Sequence, residues 1–82
     1  MPRFYFDVRR DGRPYADEEG QELSDIDAAE LEAAHAAAGI ARDLLPAKRS
    51  GELVIELRDQ SRRHLSRVSV ELRIARIPVA QS

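Results

Sequence analysis

Cysteine and tryptophan are absent from the 82 residues, the aromatic side chains are two Phe and two Tyr, and there are four Gly and four Pro. Without thiols no disulfide staples the chain and no thiolate holds a metal. A domain of this length hides only roughly 60% of its unfolded surface. A deep enclosed active site is not expected of one copy, and a small domain without staples gains missing apolar burial by self-association. These absences point to a reducing compartment and a homo-oligomer, a homodimer in the simplest case.

Long apolar runs are missing too. The most weakly polar stretch, residues 33–45, is interrupted by His35, Arg42 and Asp43, so no membrane-spanning segment and no membrane partner are expected. The Met-Pro-Arg start shows no basic-then-apolar leader, which places the expected location in the cytoplasm. Glycine-rich phosphate loops and Cys/His zinc spacings are absent, so no cofactor is expected. The net charge of −2 names no partner, but four Arg oppose ten Asp/Glu in residues 1–32, whereas nine Arg/Lys oppose five Asp/Glu in residues 33–82. Such asymmetry suits contact between copies or two faces of opposite sign. The simpler account is that acids gather where a helix begins.

What is present is patterning. Phe4, Phe6 and Val8 alternate with Tyr5, Asp7 and Arg9, the period of a half-buried strand. Asp11-Gly12 supplies the positive-φ chemistry of a tight hairpin, and Tyr15-Ala16 begins the return strand. Pro14 cannot donate to a ladder, so that strand is short or at an edge. Asp17-Glu18-Glu19-Gly20 ends it in a turn.

Ser24 with Asp27 three residues later reads as a helix N-cap and its capping-box partner, with Leu23 as the hydrophobic staple. From Ile26 the positions Ala29, Ala33, Ala37, Ile40, Ala41 and Leu44 recur at helical steps, and Pro46 stops the helix at or just before Leu45. Glu32, His35, Gly39 and Asp43 fall on the other side. The stripe is mostly Ala, so the helix can lie close to a sheet.

A linker, Ala47 to Gly51, leads to a run with Leu53, Ile55 and Leu57 on one face and Glu52, Val54, Glu56 and Arg58 on the other. A further run turns Val68, Val70, Leu72 and Ile74 inward until Pro78. The expected fold is α+β, a β-β-α-β-β order in which a four-stranded antiparallel sheet carries one helix on one face. Residues 1–82 form a single domain with a loose tail at about 78–82. The second sheet face, with Tyr5 and Val54, is the candidate self-association face.

The opening MPRFYFDVRRDG, the segment DEEGQEL, the helix start SDIDAAELEAA and the strand entry LVIELRDQ together resemble a family of small bacterial proteins classed as a domain of unknown function. Its pattern runs MPRYFFxVxxxG, DxxGxEL, an Ala-rich helix, xVxVxDExG and a Val-rich strand. This chain departs from it at the second hairpin, where the family's Gly is replaced in the Arg62-Arg63 region. The resemblance implies a fold and a bacterial source, with no activity, cofactor or catalytic residue attached.

The candidate chemistry is sparse. Asp17, Glu18, Glu19 and Glu22 offer hard oxygens, but their spacing matches no calcium loop. Glu32 and His35 have a Glu-x-x-His spacing, yet sit on the polar side of the helix without the further carboxylates that paired-metal sites require. His64 lies near Ser61 and Ser66 with no orienting carboxylate visible in the sequence. No catalytic or metal site is assigned, and the chain is not expected to be an enzyme. The basic segment with Arg62, Arg63 and Arg67 is a possible polyanion contact, although the acidic balance and missing stacking aromatics disfavour nucleic acid. The expected function is a small non-enzymatic interaction module that self-associates or binds a protein the residues do not name. The alternatives, in order, are a nucleic-acid-associated regulator and an enzyme or metal binder.

Overall fold

The computed structural model describes residues 1–79. Its elements are β1 (Arg3–Arg10), β2 (Arg13–Tyr15), β3 (Gln21–Glu22), α1 (Ile26–Lys48), β4 (Ser50–Arg58) and β5 (His64–Arg73). The expected α+β architecture is the one observed, with α1 packed on one face of an antiparallel sheet. The strand order is β2-β1-β4-β5, and β3 also pairs with β1. The part of the expected tail at residues 80–82 lies outside the described residues.

The first hairpin follows from two residues. Asp11 and Gly12 both have positive φ, 50° and 80°, and they join Arg10 to its cross-strand partner Arg13. This is the two-residue primed turn that suits strand twist. Pro14 lies opposite Arg9 on the sheet edge, and β2 ends at Tyr15 without reaching Ala16.

In register, Phe6 faces Leu57 and Val8 faces Ile55, while Ile55 faces Val68 and Leu53 faces Val70. These side chains lie beneath α1, whose Ala29, Ala33, Ala37, Ala41 and Leu45 form the buried row of the helix. Leu53, Ile55 and Leu57 are the largest fully buried side chains. Each contributes roughly 1.5–3 kcal/mol of burial free energy.

Several expected boundaries move. The N-cap is Asp25 and not Ser24. Asp25 has extended backbone (φ −161°) and its side chain accepts from Ala28 N–H at 2.8 Å. Both residues can cap, but the carboxylate places a full charge at the positive helix end. Leu23 is then one residue too early for a staple. It packs against the core instead, its N–H donating to Pro2 O.

The helix does not stop at Leu45 but carries Pro46 within its last turn and ends at Lys48. Leu45 is a core residue, Lys48 pairs with Asp11, and Arg49 closes the end in the left-handed conformation with its N–H on Pro46 O. These contacts outweigh the single backbone bond that Pro46 removes. The expected linker therefore shrinks to Arg49.

At the other end, β5 stops at Arg73, well short of Pro78. Ser50 is the partner of Arg73, and the residue before Ser50 is the left-handed cap, so the ladder has nothing further to bond. Ile74 is accordingly 49% exposed and not inward-facing.

Replacing Asp25 by Ala is expected to cost about 0.5–2 kcal/mol, and Ser24→Ala to change stability by no more than about 0.5 kcal/mol. Urea unfolding of both variants checks the assignment.

Candidate functional site

The sheet face away from α1 holds most of the polar chemistry, and β1 and β4 build it. Asp7 and Glu56 stand directly opposite each other in the two central strands. Each has its own cations. Arg58 donates to both Asp7 oxygens, Nε to Oδ2 at 2.5 Å and Nη2 to Oδ1 at 3.2 Å, a bidentate pair. Its guanidinium also lies over the Tyr5 ring, 5.0 Å from the centroid. Glu56 accepts from Arg9 Nη2 at 2.5 Å, lies 3.0 Å from His64 Nδ1, and has Arg67 Nη2 at 3.7 Å.

The acidic turn is fastened to this cluster. Between β2 and β3 the chain bulges outward, leaving Phe6 of β1 without a strand partner on that side. The Asp17 carboxylate takes the strand's place: Oδ2 accepts from Phe6 N–H, and Oδ1 accepts from Glu19 and Gly20 N–H, each at 3.1 Å. Asp17 N–H donates to Asp7 Oδ1 at 2.9 Å, and Arg58 Nη2 reaches Asp17 O at 3.2 Å. Gly20, at φ 72°, passes so close to β1 that a Cβ would lie 2.9 Å from Phe4 O and from the Tyr5 ring. The expected turn is thus a clasp closing the sheet edge. Gln21 and Glu22 then resume the ladder opposite Phe4 and Arg3.

Burial pushes the Asp7 carboxyl upward, but its hydrogen bonds from Arg58 and Asp17 and the Arg58 charge bring it below the ordinary value of 3.8. Asp17 behaves alike: burial raises it, and the N–H groups of Gly20, Phe6 and Glu19 lower it further than that. Both carboxyls are held ionised. That suits fixed acceptors and not proton donors near neutral pH.

The residues singled out from sequence are dispersed. Tyr5 lies half-buried beneath Arg58 on the open face. Val54 is buried within the single chain, 6% exposed, between Arg9 and Ser69 in register, which removes it from an exposed association face. Glu56, on the same face, is 8% exposed. Arg62 and Arg63 are exposed in the β4–β5 turn, where Arg63 Nε donates to Asp59 Oδ2 at 2.8 Å. Arg62 adopts φ 65°, so the turn keeps the left-handed residue that a Gly would supply. Arg67, in β5, faces Glu56. Two of the three arginines therefore have carboxylate partners already.

Glu32 and His35 are exposed on the outer side of α1. Ser66 Oγ donates to Glu30 Oε2 at 2.5 Å on the helix side, away from the face that carries His64, so Ser66 does not pair with His64. Among the described residues no cluster of three or more His, Cys, Asp or Glu could hold a metal ion. No described helix is long and apolar enough to cross a membrane.

A cleft of about 530 Å³ on the helix side lies between the first hairpin and the end of α1, with Arg10, Tyr15 and Lys48 among its walls. Arg10 Nη2 donates to Tyr15 Oη, and Lys48 pairs with Asp11, so these polar walls bond each other.

Sequence reasoning missed the roles of Asp7, Glu56 and Arg58. The available signal was an acid inside each of two strongly apolar runs, FYFDV and LVIEL. The last open feature is the β5 edge. On the far side the sheet is closed by short strands, Pro14 and the clasp, whereas among the described residues nothing pairs with the outer edge of the ten-residue β5.

The model of a family described as a domain of unknown function, DUF6894, matches residues 3–71. No curated protein and no solved structure matches.

Because Asp7 and Asp17 lie below 3.8 when folded, the folded chain binds fewer protons than the unfolded one in acid. Their stabilisation is present above that value and is lost as pH falls through the folded values. Asp17→Asn is expected to cost about 1–3 kcal/mol at pH 6 and to flatten the fall in stability between pH 6 and pH 3. Urea titrations at the two pH values test this.

Proposed function

We propose that this chain, which belongs to the DUF6894 family of domains of unknown function, is a small non-enzymatic interaction module of the cytoplasm that self-associates through its sheet. The uncovered edge of β5 carries this reading. A strand of ten residues with one side unpaired among the described residues offers a row of N–H and C=O groups to an added strand. Natural sheets usually blunt such an edge by shortening it or by placing proline or inward charge on it. Here the blunting devices gather on the other edge, at Pro14 and the Asp17 clasp. β5 has no proline from His64 to Arg73; it carries the exposed charges Arg67, Glu71 and Arg73 and an irregularity at the Leu57/Arg58 end of its pairing with β4.

The non-enzymatic part is supported by the pairing of Asp7 and Glu56 with arginines and by the ionised state of Asp7 and Asp17. Polyanion contact through Arg62, Arg63 and Arg67 is the weaker reading, because Asp59 and Glu56 already compensate two of those charges.

Light scattering coupled to size exclusion, over a range of micromolar concentrations, is expected to give a particle mass above that of one chain. A single-chain mass throughout would overturn the proposal.

A further inference from the structure

We infer that the occupant of the β5 edge is a second copy of β5, antiparallel to the first and related to it by a two-fold axis midway between the two Ser69 residues. This rests on the self-association just proposed and specifies its partner, register and geometry. The segment Arg67-Val68-Ser69-Val70-Glu71 is complementary to itself. Reversed about Ser69, it sets Arg67 opposite Glu71 of the second copy, Glu71 opposite Arg67, and each Val68 opposite a Val70. Residues directly opposite in an antiparallel pair share a face, so the valines meet on the helix side and the charges on the open side.

Neighbouring registers that keep the faces matched lose this fit. Centring on Val70 sets Arg67 against Arg73, centring on Glu71 sets Glu71 against itself, and centring on Val68 forms no pair of opposite charges. Like charges directly opposite oppose pairing, whereas unlike ones favour it. Both side chains are exposed, and each already has a neighbour within the chain that the pairing shares: Arg67 is 65% exposed with Glu56 at 3.7 Å, and Glu71 is 54% exposed with Arg73 Nη2 at 3.1 Å. Val68, Val70 and Leu72 are half-buried at the rim of the core, where an added strand covers them.

The helix agrees with this arrangement. Packed over β4 and β5, α1 turns Glu30 toward Ser66 of β5 and turns Ile40 and Leu44 toward the hairpin cleft. The row Glu30, Ala34, Ala38 therefore lies on the edge side, and both alanines are exposed. With strands about 4.8 Å apart, an axis beside β5 brings the two helices roughly 10 Å apart, a packing distance for helices. Small side chains on that side permit the approach.

The absence of Cys makes the register directly readable. Facing Cα atoms in an antiparallel pair are about 4.5–5.5 Å apart, within disulfide reach. Under mild oxidation Ser69→Cys is expected to form a covalent dimer. Arg67→Cys and Glu71→Cys are each expected to stay unlinked, because each lies four residues, about 13 Å along the strand, from its own copy. Mixed together, those two variants are expected to cross-link. A dimer by light scattering in which Ser69→Cys fails to link, or Glu71→Cys links to itself, overturns the register while leaving self-association intact. A single-chain mass for wild type overturns both.

Discussion

The close contact between an alanine row and the central strand β4 is the constraint on which the rest of the structure depends. Ala29, Ala33, Ala37 and Ala41 present little more than methyl groups, so α1 settles low on the sheet and seals Leu53, Ile55 and Leu57 almost completely. Larger residues would lift the helix and open voids along β4, since protein interiors tolerate little empty space. The cost of alanine is small buried area per residue. One helix of this kind covers β4 and β5, and among the described residues nothing pairs with the outer edge of β5.

The other sheet face solves a different problem with charge. Two carboxylates, Asp7 and Glu56, oppose each other across β1 and β4, a repulsive placement unless compensated. Arg58 and Arg9 provide that compensation, and Arg58 extends it to the Asp17 loop. The same guanidinium thus neutralises a strand residue, lies over Tyr5 and anchors the turn before the helix. The segment DEEGQEL is explained by this geometry: an Asp to replace a missing strand partner, a Gly where no Cβ fits, and a return to pairing at Gln21 and Glu22.

Much of the fold was legible because periodicity reports which side chains share a face. Phe4, Phe6 and Val8, the Leu53-Ile55-Leu57 set, the Asp11-Gly12 turn and the alanine stripe all stand as their spacing predicts. Periodicity does not report which strand is central. Val54 and Glu56 lie on the expected face but are buried, because β4 has neighbours on both sides and long side chains around them. Boundaries failed where two adjacent residues offered the same chemistry, as Ser24 and Asp25 do, or where a strand ran out of partner, as β5 does at Arg73. The role of Asp17 was illegible because a side chain replacing a ladder bond eleven residues away leaves no periodic trace.

The central claim is that one sheet edge is finished within the chain and the other is finished by a second copy. Hydrogen exchange of the backbone amides of β4 and β5, measured at several protein concentrations, tests it most directly. Protection of β4 is expected to be independent of concentration, while the outward-pointing amides of β5 gain protection as concentration rises, most strongly around Ser69. Outward amides of β5 that exchange rapidly at every concentration would contradict the account.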